Sequence, residues 1–277
     1  MFDFDKKITE NIGTRPLICA HRGLSGGNIP CNSSAAFKAA LLEHADMIEL
    51  DVSKSRDGKF YVFHPGKERA HLRSLKMLNT MKGASIENTH FVNQDDDKTQ
   101  FHIEKLEDIF AMLKGKCYIN VDKFWTDVEG ITEVIRKCGV EKQVIVKTPL
   151  NEKYYKEIKK YASDLMYLPI VKNEDTVTDK LVEMGINCIG AEVCFDNENA
   201  RVCSDEYIKS MHDKGRVVFS NAIIYYYKTQ LAAGHSDDTS VSESPDKGWG
   251  WLIDKKFDII QTDWCGALYN YMNNTNR

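Results

Sequence analysis

The stretch MIELDVSKSRDGKFYVFHPG (47–66) sets Glu49 and Asp51 two residues apart in an apolar run and ends a second apolar run on His64. Side chains two apart on a strand share a face, so the two carboxylates point the same way. Asp122 ends the run CYINVD (117–122), Glu192 lies near the end of CIGAEV (188–193), and Asp263 ends DIIQTD (258–263). His21, Lys147 and Asn221 close other runs. A single polar residue at a strand end ordinarily bonds to a loop. Several carboxylates converging on one rim repel each other unless something neutralises them, and a divalent cation is the simplest neutraliser. An all-oxygen ligand set selects Mg²⁺ or Ca²⁺ over zinc. In ICAHRG, Arg22 beside His21 suits a bidentate clamp on phosphate, and Gly23 permits a tight backbone. Two histidines, His21 and His64, flanking a carboxylate site with an arginine make a candidate general acid–base pair. His44, His71, His90, His102, His212 and His235 lack such company and read as surface or structural.

Positioning these groups requires strands that end on one rim. Short apolar, β-rich runs recur at 16–20, 47–52, 117–122, 143–148, 165–171, 188–193, 217–222 and 258–263. Between several of them the apolar residues fall at helical spacing, as in Leu106, Ile109, Phe110 and Leu113, or Ile131, Val134, Ile135 and Cys138. Strands alternating with helices predict βαβ units and a parallel sheet, and roughly eight such units predict a closed (β/α)8 barrel. An open doubly wound sheet is the competitor, weakened because no G-x-G-x-x-G follows the first run. FYVF (60–63) follows too soon after the second run for a crossover helix and reads as an extra strand. The expectation is one domain over 1–277, a distorted α/β barrel with a small insertion at about 65–104 after the second strand. The Ser-, Asp- and Gly-rich segment 232–248 reads as a long loop.

The 277 residues carry a net charge of −4, with 42% hydrophobic and 28% charged residues, values of a globular chain with a large core. That charge argues against a nucleic-acid binder relying on bulk positive charge. It leaves anionic substrates open, because a bound metal or a few local cations reverse the field of one cleft. The eight cysteines are scattered without a C-x-x-C pair and read as buried hydrophobes in a reducing compartment. The N-terminal segment lacks a basic region followed by a long apolar one, and no run approaches the ~20 apolar residues of a membrane helix. A cytoplasmic protein without a transmembrane segment is expected.

Taken together, the motifs resemble those of the glycerophosphodiester phosphodiesterases. The family's first-strand H-R-G, its P-E-N-T opening a helix, its E-x-D, its D-G and its H-D correspond here to His21-Arg22-Gly23, Pro30-Cys31-Asn32-Ser33, Glu49-Leu50-Asp51, Asp57-Gly58 and His64-Pro65. IEKLEDIF, SNA (220–222) and QTD (261–263) resemble later segments, so the likeness runs from about residue 16 to the C-terminus. The combined spacing is specific, whereas each piece alone is weak.

The resemblance implies a metal held by Glu49, Asp51 and a third-strand acid, here Asp122 where Glu is usual. The related spider-venom-type phospholipases D also place Asp there. The family's lysine follows two residues after that acid, whereas Lys123 follows directly and stands off register, with Lys147 as the other source of that charge. Cys31 replaces a Glu and Pro65 an Asp. The implied reaction is metal-dependent hydrolysis of a small glycerophosphodiester to sn-glycerol 3-phosphate and an alcohol. Arg22 would hold the phosphate, with Lys123, Lys147, Glu192, Asn221 and Trp264 as further substrate-binding candidates. Which histidine is acid and which base stays open, as do the nucleophile, the headgroup and the oligomeric state. Two rivals remain. One is a phospholipase D-like activity on lysophospholipids, with Trp125, Trp264 and Tyr225-Tyr226-Tyr227 lining an apolar entrance. The other is a non-catalytic barrel binding phosphorylated ligands, which the replacements Cys31 and Pro65 would favour.

Overall fold

The structure, a computed structural model, describes residues 3, 4, 6 and 8–275. Residues 1, 2, 5, 7, 276 and 277 of the expected 1–277 span, including part of the N-terminal segment examined for a leader, lie outside the described residues. In chain order the strands are β1 (Leu17–Ala20), β2 (Met47–Lys54), β3 (Phe60–Val62), β4 (His90–Val92), β5 (Lys98–His102), β6 (Tyr118–Asp122), β7 (Val144–Pro149), β8 (Met166–Lys172), β9 (Gly190–Cys194), β10 (Val217–Asn221) and β11 (Ile259–Thr262). Strands β1, β2 and β6 to β11 are parallel neighbours. Strand β1 pairs with β2 on one side and β11 on the other, so the sheet closes on itself. That closure makes a (β/α)8 barrel and excludes the open doubly wound sheet.

Alternation builds the barrel from the inside. Leu17, Met47, Tyr118, Ile145, Leu168, Val217 and Ile259 fill its lower interior, where Ile8 packs from the helical turn Ile8–Asn11. Two and four residues further along the same strands the inward positions turn polar: Glu49 and Asp51, Asn120 and Asp122, Lys147, Asn221 and Gln261, all buried. The outward positions, such as Ile48, Leu50, Val121, Val146, Val193 and Ile260, pack in the main core with the helices. The strands are thus mainly apolar on their helix side, and their inner faces turn polar toward the carboxyl end. The carboxyl-end rim is where barrel sites form.

Two stretches depart from the repeat. The expected extra strand is β3, antiparallel to the end of β2 with Val52 opposite Val62. After it come the short helices Glu68–Leu72 and Gly83–Glu87 and the ribbon β4–β5. These elements carry their own apolar cluster of Tyr61, Phe63, Leu72, Leu78, Ile86, Phe91 and Ile103. The segment 232–248, expected as a long loop, instead folds into the helix Asp237–Ser242 and the start of a helical turn at Asp246–Gly250. Ser236 caps the helix by accepting from the Thr239 N–H. Buried Asp237 accepts from Trp249 Nε1, Thr262 Oγ1 and the Asp263 N–H, each at 2.7 Å. These bonds, which span up to 26 residues of sequence, satisfy a polar run that composition alone reads as loop.

Candidate active site

The turn after β1 is built for close approach. Arg22 and Gly23 both adopt positive φ, 57° and 76°. A Cβ on Gly23 would lie 2.7 Å from the Ala36 carbonyl carbon, so the chain there admits only glycine without displacement. The bend lets the Arg22 N–H donate to Glu49 Oε2 at 3.0 Å and sets Arg22 Nε 2.8 Å from Asp51 Oδ2, an ion pair not aligned as a hydrogen bond. The segment Pro30-Cys31-Asn32-Ser33 then works as a bracket. Asn32, at φ 56°, donates to Asp51 Oδ2 at 2.9 Å and accepts from the Asp51 N–H at 3.1 Å. Ser33 caps the helix Ser34–Leu42. These roles of Asn32 and Ser33 escape sequence reasoning, although their motif is visible there.

Glu49, Asp51 and Asp122 present oxygens that all lie within 4.8 Å of one another, and all three side chains are buried. Burial and the neighbouring Asp51 charge push the Glu49 carboxyl up to about 7. Burial pushes Asp122 in the same direction, but Lys147 and Lys123 outweigh it and take that group down to about 2. Asp51 Oδ1 has no hydrogen-bond partner. His64 Nε2 and Lys123 Nζ each stand 3.8 Å from it, too far to bond. Clustered buried carboxylates, one with its proton affinity raised by burial and its neighbours and another with an orphaned oxygen, fit a hard divalent cation with oxygen ligands.

Lys123 corrects the expectation drawn from its spacing. Its residue takes the left-handed conformation, φ 60°, and this turns the side chain back over the rim. Its Nζ donates to Asp122 Oδ2 at 2.9 Å, and the ammonium lies 5.0 Å from the Trp125 ring centre. Lys147 is buried, donates to Glu192 Oε2 at 2.9 Å and is kept protonated by Glu192, Asp122 and Glu49 against the effect of burial. Asn221 donates to Glu192 Oε1 at 3.0 Å and accepts from Gln261 Nε2 at 2.9 Å. Lys147, Glu192 and Asn221 therefore form a bonded belt inside the barrel, while Lys123 and Arg22 stand nearer the surface.

The two histidines are held differently. His21 Nδ1 pairs with Asp263 Oδ1 at 2.8 Å. Burial lowers its proton affinity, but the Asp263 bond and the Glu49 charge raise it net above the ordinary value. His64 Nδ1 bonds the Pro65 carbonyl at 2.8 Å. A carbonyl only accepts, so Nδ1 carries the proton and Nε2 faces Asp51. Burial, helped by the Arg22 and Lys123 charges, lowers His64 below the ordinary value. Pro65 thus supplies the backbone acceptor that orients the His64 ring. Of the histidines expected to be structural, His71 belongs near the site: burial first, then Arg22, Lys67 and His64, lower its proton affinity.

Above this rim opens a cavity of about 320 Å³ lined by His21, Arg22, Leu24, Cys31, Asp263 and Trp264. Trp264 is half exposed there, and the ring of the exposed Tyr225 lies 6.2 Å from that of His21. Burial pushes the Cys31 thiol up to about 11 despite Arg22 beside it. Asp263 is visible in the sequence as a strand-end acid, but its pairing with His21 joins residues 242 apart and leaves no local signal.

Fold and rim together define a barrel with a charged cleft at its carboxyl end. A family model described as a domain of unknown function, DUF4996, matches residues 167–272. A glycerophosphodiester phosphodiesterase of Bacillus altitudinis is 30% identical over 135 residues, covering 46% of this chain and 50% of that protein. The chain spans about half the length of the curated relatives it matches. Among solved structures, a glycerophosphoryl diester phosphodiesterase of Parabacteroides distasonis superposes with a TM-score of 0.80 at 19% identity, over 99% of this chain and 93% of that one. An Oleispira antarctica phosphodiesterase in complex with the product sn-glycerol-3-phosphate superposes with a TM-score of 0.67 at 14% identity, over 94% and 97%. The chain shares their fold.

Proposed function

We propose that this chain is a glycerophosphodiester phosphodiesterase, one barrel domain with an insertion at about 65–104, that cleaves a small diester to sn-glycerol 3-phosphate and an alcohol. The observation that carries the reading is the setting of Asp51. Its carboxylate lies among Arg22, Asn32, Lys123 and His64, with one oxygen unpartnered and with Glu49 and Asp122 beside it. Relatives and neighbours that carry the phosphodiesterase name, one bound to sn-glycerol-3-phosphate, support it.

Glu49, Asp51 and Asp122 would hold a divalent cation, Mg²⁺ or Ca²⁺, which when bound supplies positive charge opposite the phosphoryl oxygens. Arg22 and Lys123 bind the remaining phosphate charge from the cleft side. Lys147, with Glu192 and Asn221, tunes the floor beneath them. His64 Nε2, free of a proton, accepts one from the attacking hydroxyl, whether that of water or of the substrate's own glycerol. His21, raised by its carboxylate partner, donates one to the departing alkoxide. General acid–base groups of this kind supply about 10²–10⁴-fold. Trp264 covers the cleft mouth and excludes water from one side. The cavity-lining Cys31 thiol stays neutral near pH 7 and is no nucleophile in this scheme.

The test is release of sn-glycerol 3-phosphate from a panel of glycerophosphodiesters with Mg²⁺ or Ca²⁺, repeated after EDTA. Turnover that EDTA abolishes and the cation restores is the expected result. Binding without turnover on every member would leave a phosphate-binding barrel. The exposed Tyr225 and Trp264 at the mouth are the one feature favouring phospholipase D-like action, so lysophosphatidylcholine belongs in the panel.

A further inference from the structure

A second cavity, of about 240 Å³, adjoins the cleft and shares Ser25 and Cys31 with it. One wall is the loop after β1, where Gly26 and Ile29 exchange two backbone hydrogen bonds, at 3.1 and 3.0 Å, and so form a miniature hairpin. The other wall belongs to the inserted elements: Ala70 and His71 of the helix Glu68–Leu72, and residues 92–96 at the β4–β5 turn. Asn93 Nδ2 donates to Asn28 Oδ1 at 2.8 Å and ties the two walls together. The cavity thus exists only because the insertion folds back against the first barrel loop.

Its lining is chemically distinctive. Ser25, Asn28, Asn93 and Gln94 offer neutral hydroxyl and amide groups, both donors and acceptors. The one acid, Asp96, is engaged by Arg73. Ile29, Pro30 and Val92 add limited apolar surface. Among its lining residues there is no Phe, Tyr or Trp to cage a quaternary ammonium, and the one carboxylate is already paired. The charges that act on His71 are mainly positive, from Arg22, Lys67 and His64, with the smaller opposing effect of Asp51. An approaching cation would therefore be repelled without a compensating partner.

We infer that this cavity is the subsite for the leaving alcohol and that it takes an uncharged, hydroxyl-rich headgroup such as a cyclitol or glycerol. The inference rests on the phosphodiesterase reading, which places the phosphate at Arg22; the edge that the two cavities share at Ser25 and Cys31 gives the departing alcohol a way into this one. Hydroxyls meet the Asn28, Gln94 and Ser25 groups, and the carbon faces lie on Ile29 and Val92. A site that hydrogen-bonds hydroxyl groups discriminates against analogues that leave its polar groups unpaired.

The experiment measures kcat/KM of the full chain for glycerophosphoinositol, glycerophosphoglycerol, glycerophosphocholine and glycerophosphoethanolamine. Wild type and the variants Gln94→Leu and Asn28→Leu are compared, neither residue belonging to the catalytic rim. The expected result is a preference of about tenfold or more for the two polyol esters, equivalent to one or two net hydrogen bonds. Each variant should reduce that preference by about tenfold through KM, with kcat and the choline-ester rate unchanged. Cleavage of all four esters without a polyol preference, or variants that change every ester equally, overturns the subsite and leaves the phosphodiesterase reading standing. Cleavage of none overturns both. Thermal melting of each variant, expected to match wild type, separates a lost contact from a lost fold.

Discussion

At the scale of single residues, the site works through partners rather than through the reactive groups alone. Against the effect of burial, His21 is raised by Asp263 and Glu49, whereas burial with Arg22 and Lys123 lowers His64, and that difference orders their proton affinities. Replacing Asp263 by Asn removes the charge that raises His21. In the proposed mechanism His21 is the proton donor and is active only while protonated, so activity should fall as pH rises through its pKa. Lowering that pKa moves the alkaline limb of the kcat/KM profile to lower pH, while the acid limb set by His64 stays put. A pH–rate profile of Asp263→Asn in which the acid limb moves instead would reverse the two roles. Cys31→Ser tests the thiol in the same way. With the group pushed up to about 11 it does not ionise near neutrality, and the variant should retain turnover within about tenfold in a steady-state assay.

At the scale of elements, acids at the two ends of the strands do different work. Below the barrel, Asp46 takes the Ile18 N–H at 2.9 Å and both terminal nitrogens of Arg15 at 2.7 and 2.8 Å. Asp258 takes the Val218 N–H at 2.7 Å and His212 Nε2 at 2.9 Å. These carboxylates brace strands, as the amino-terminal face of such a barrel does for stability. At the other end Asp237 pins the Thr262–Asp263 turn to Trp249. Asp237→Asn replaces one acceptor oxygen with a donor facing a donor, which should cost about 1–3 kcal/mol. Calorimetric melting should show Tm lowered by several degrees, and His21 should lose alignment because Asp263 moves with the turn. Gly23→Ala is the more severe change: with the backbone at positive φ and no room for a Cβ, it should lower soluble yield and Tm together.

At the scale of the whole molecule, the barrel concentrates unlike charges at one largely buried rim. Arg22, Lys123 and Lys147 face Glu49, Asp51, Asp122 and Glu192 across one rim, and a bound cation would relieve the remaining carboxylate repulsion. Ligands that bind only the folded state stabilise it, by about 2.7 kcal/mol at a hundredfold excess over Kd. Addition of Ca²⁺ or Mg²⁺ should therefore raise Tm, and Glu49→Gln or Asp122→Asn should shrink that shift. Equal shifts in both variants and wild type would move the cation to another site. The described residues include no helix long and apolar enough to cross a membrane.

What the sequence determined by itself was periodic and local. Alternation placed Glu49 with Asp51 and gave strands ending on acids, and about eight such units predicted the closed sheet that the β1–β2 pairing completes. The H-R-G and E-x-D spacing marked the rim because residues two apart on one strand must share its face. The tertiary structure alone decided what depends on backbone handedness and on long-range closure. Lys123 reaches the site because one residue adopts positive φ, a choice that spacing does not encode. The Pro65 carbonyl fixes the tautomer of His64. Asp263 meets His21, and Asp237 orders a polar segment, only when β11 closes beside β1. The insertion's amides reach the first loop because its own apolar cluster folds it back, and no pattern within either segment announces the contact.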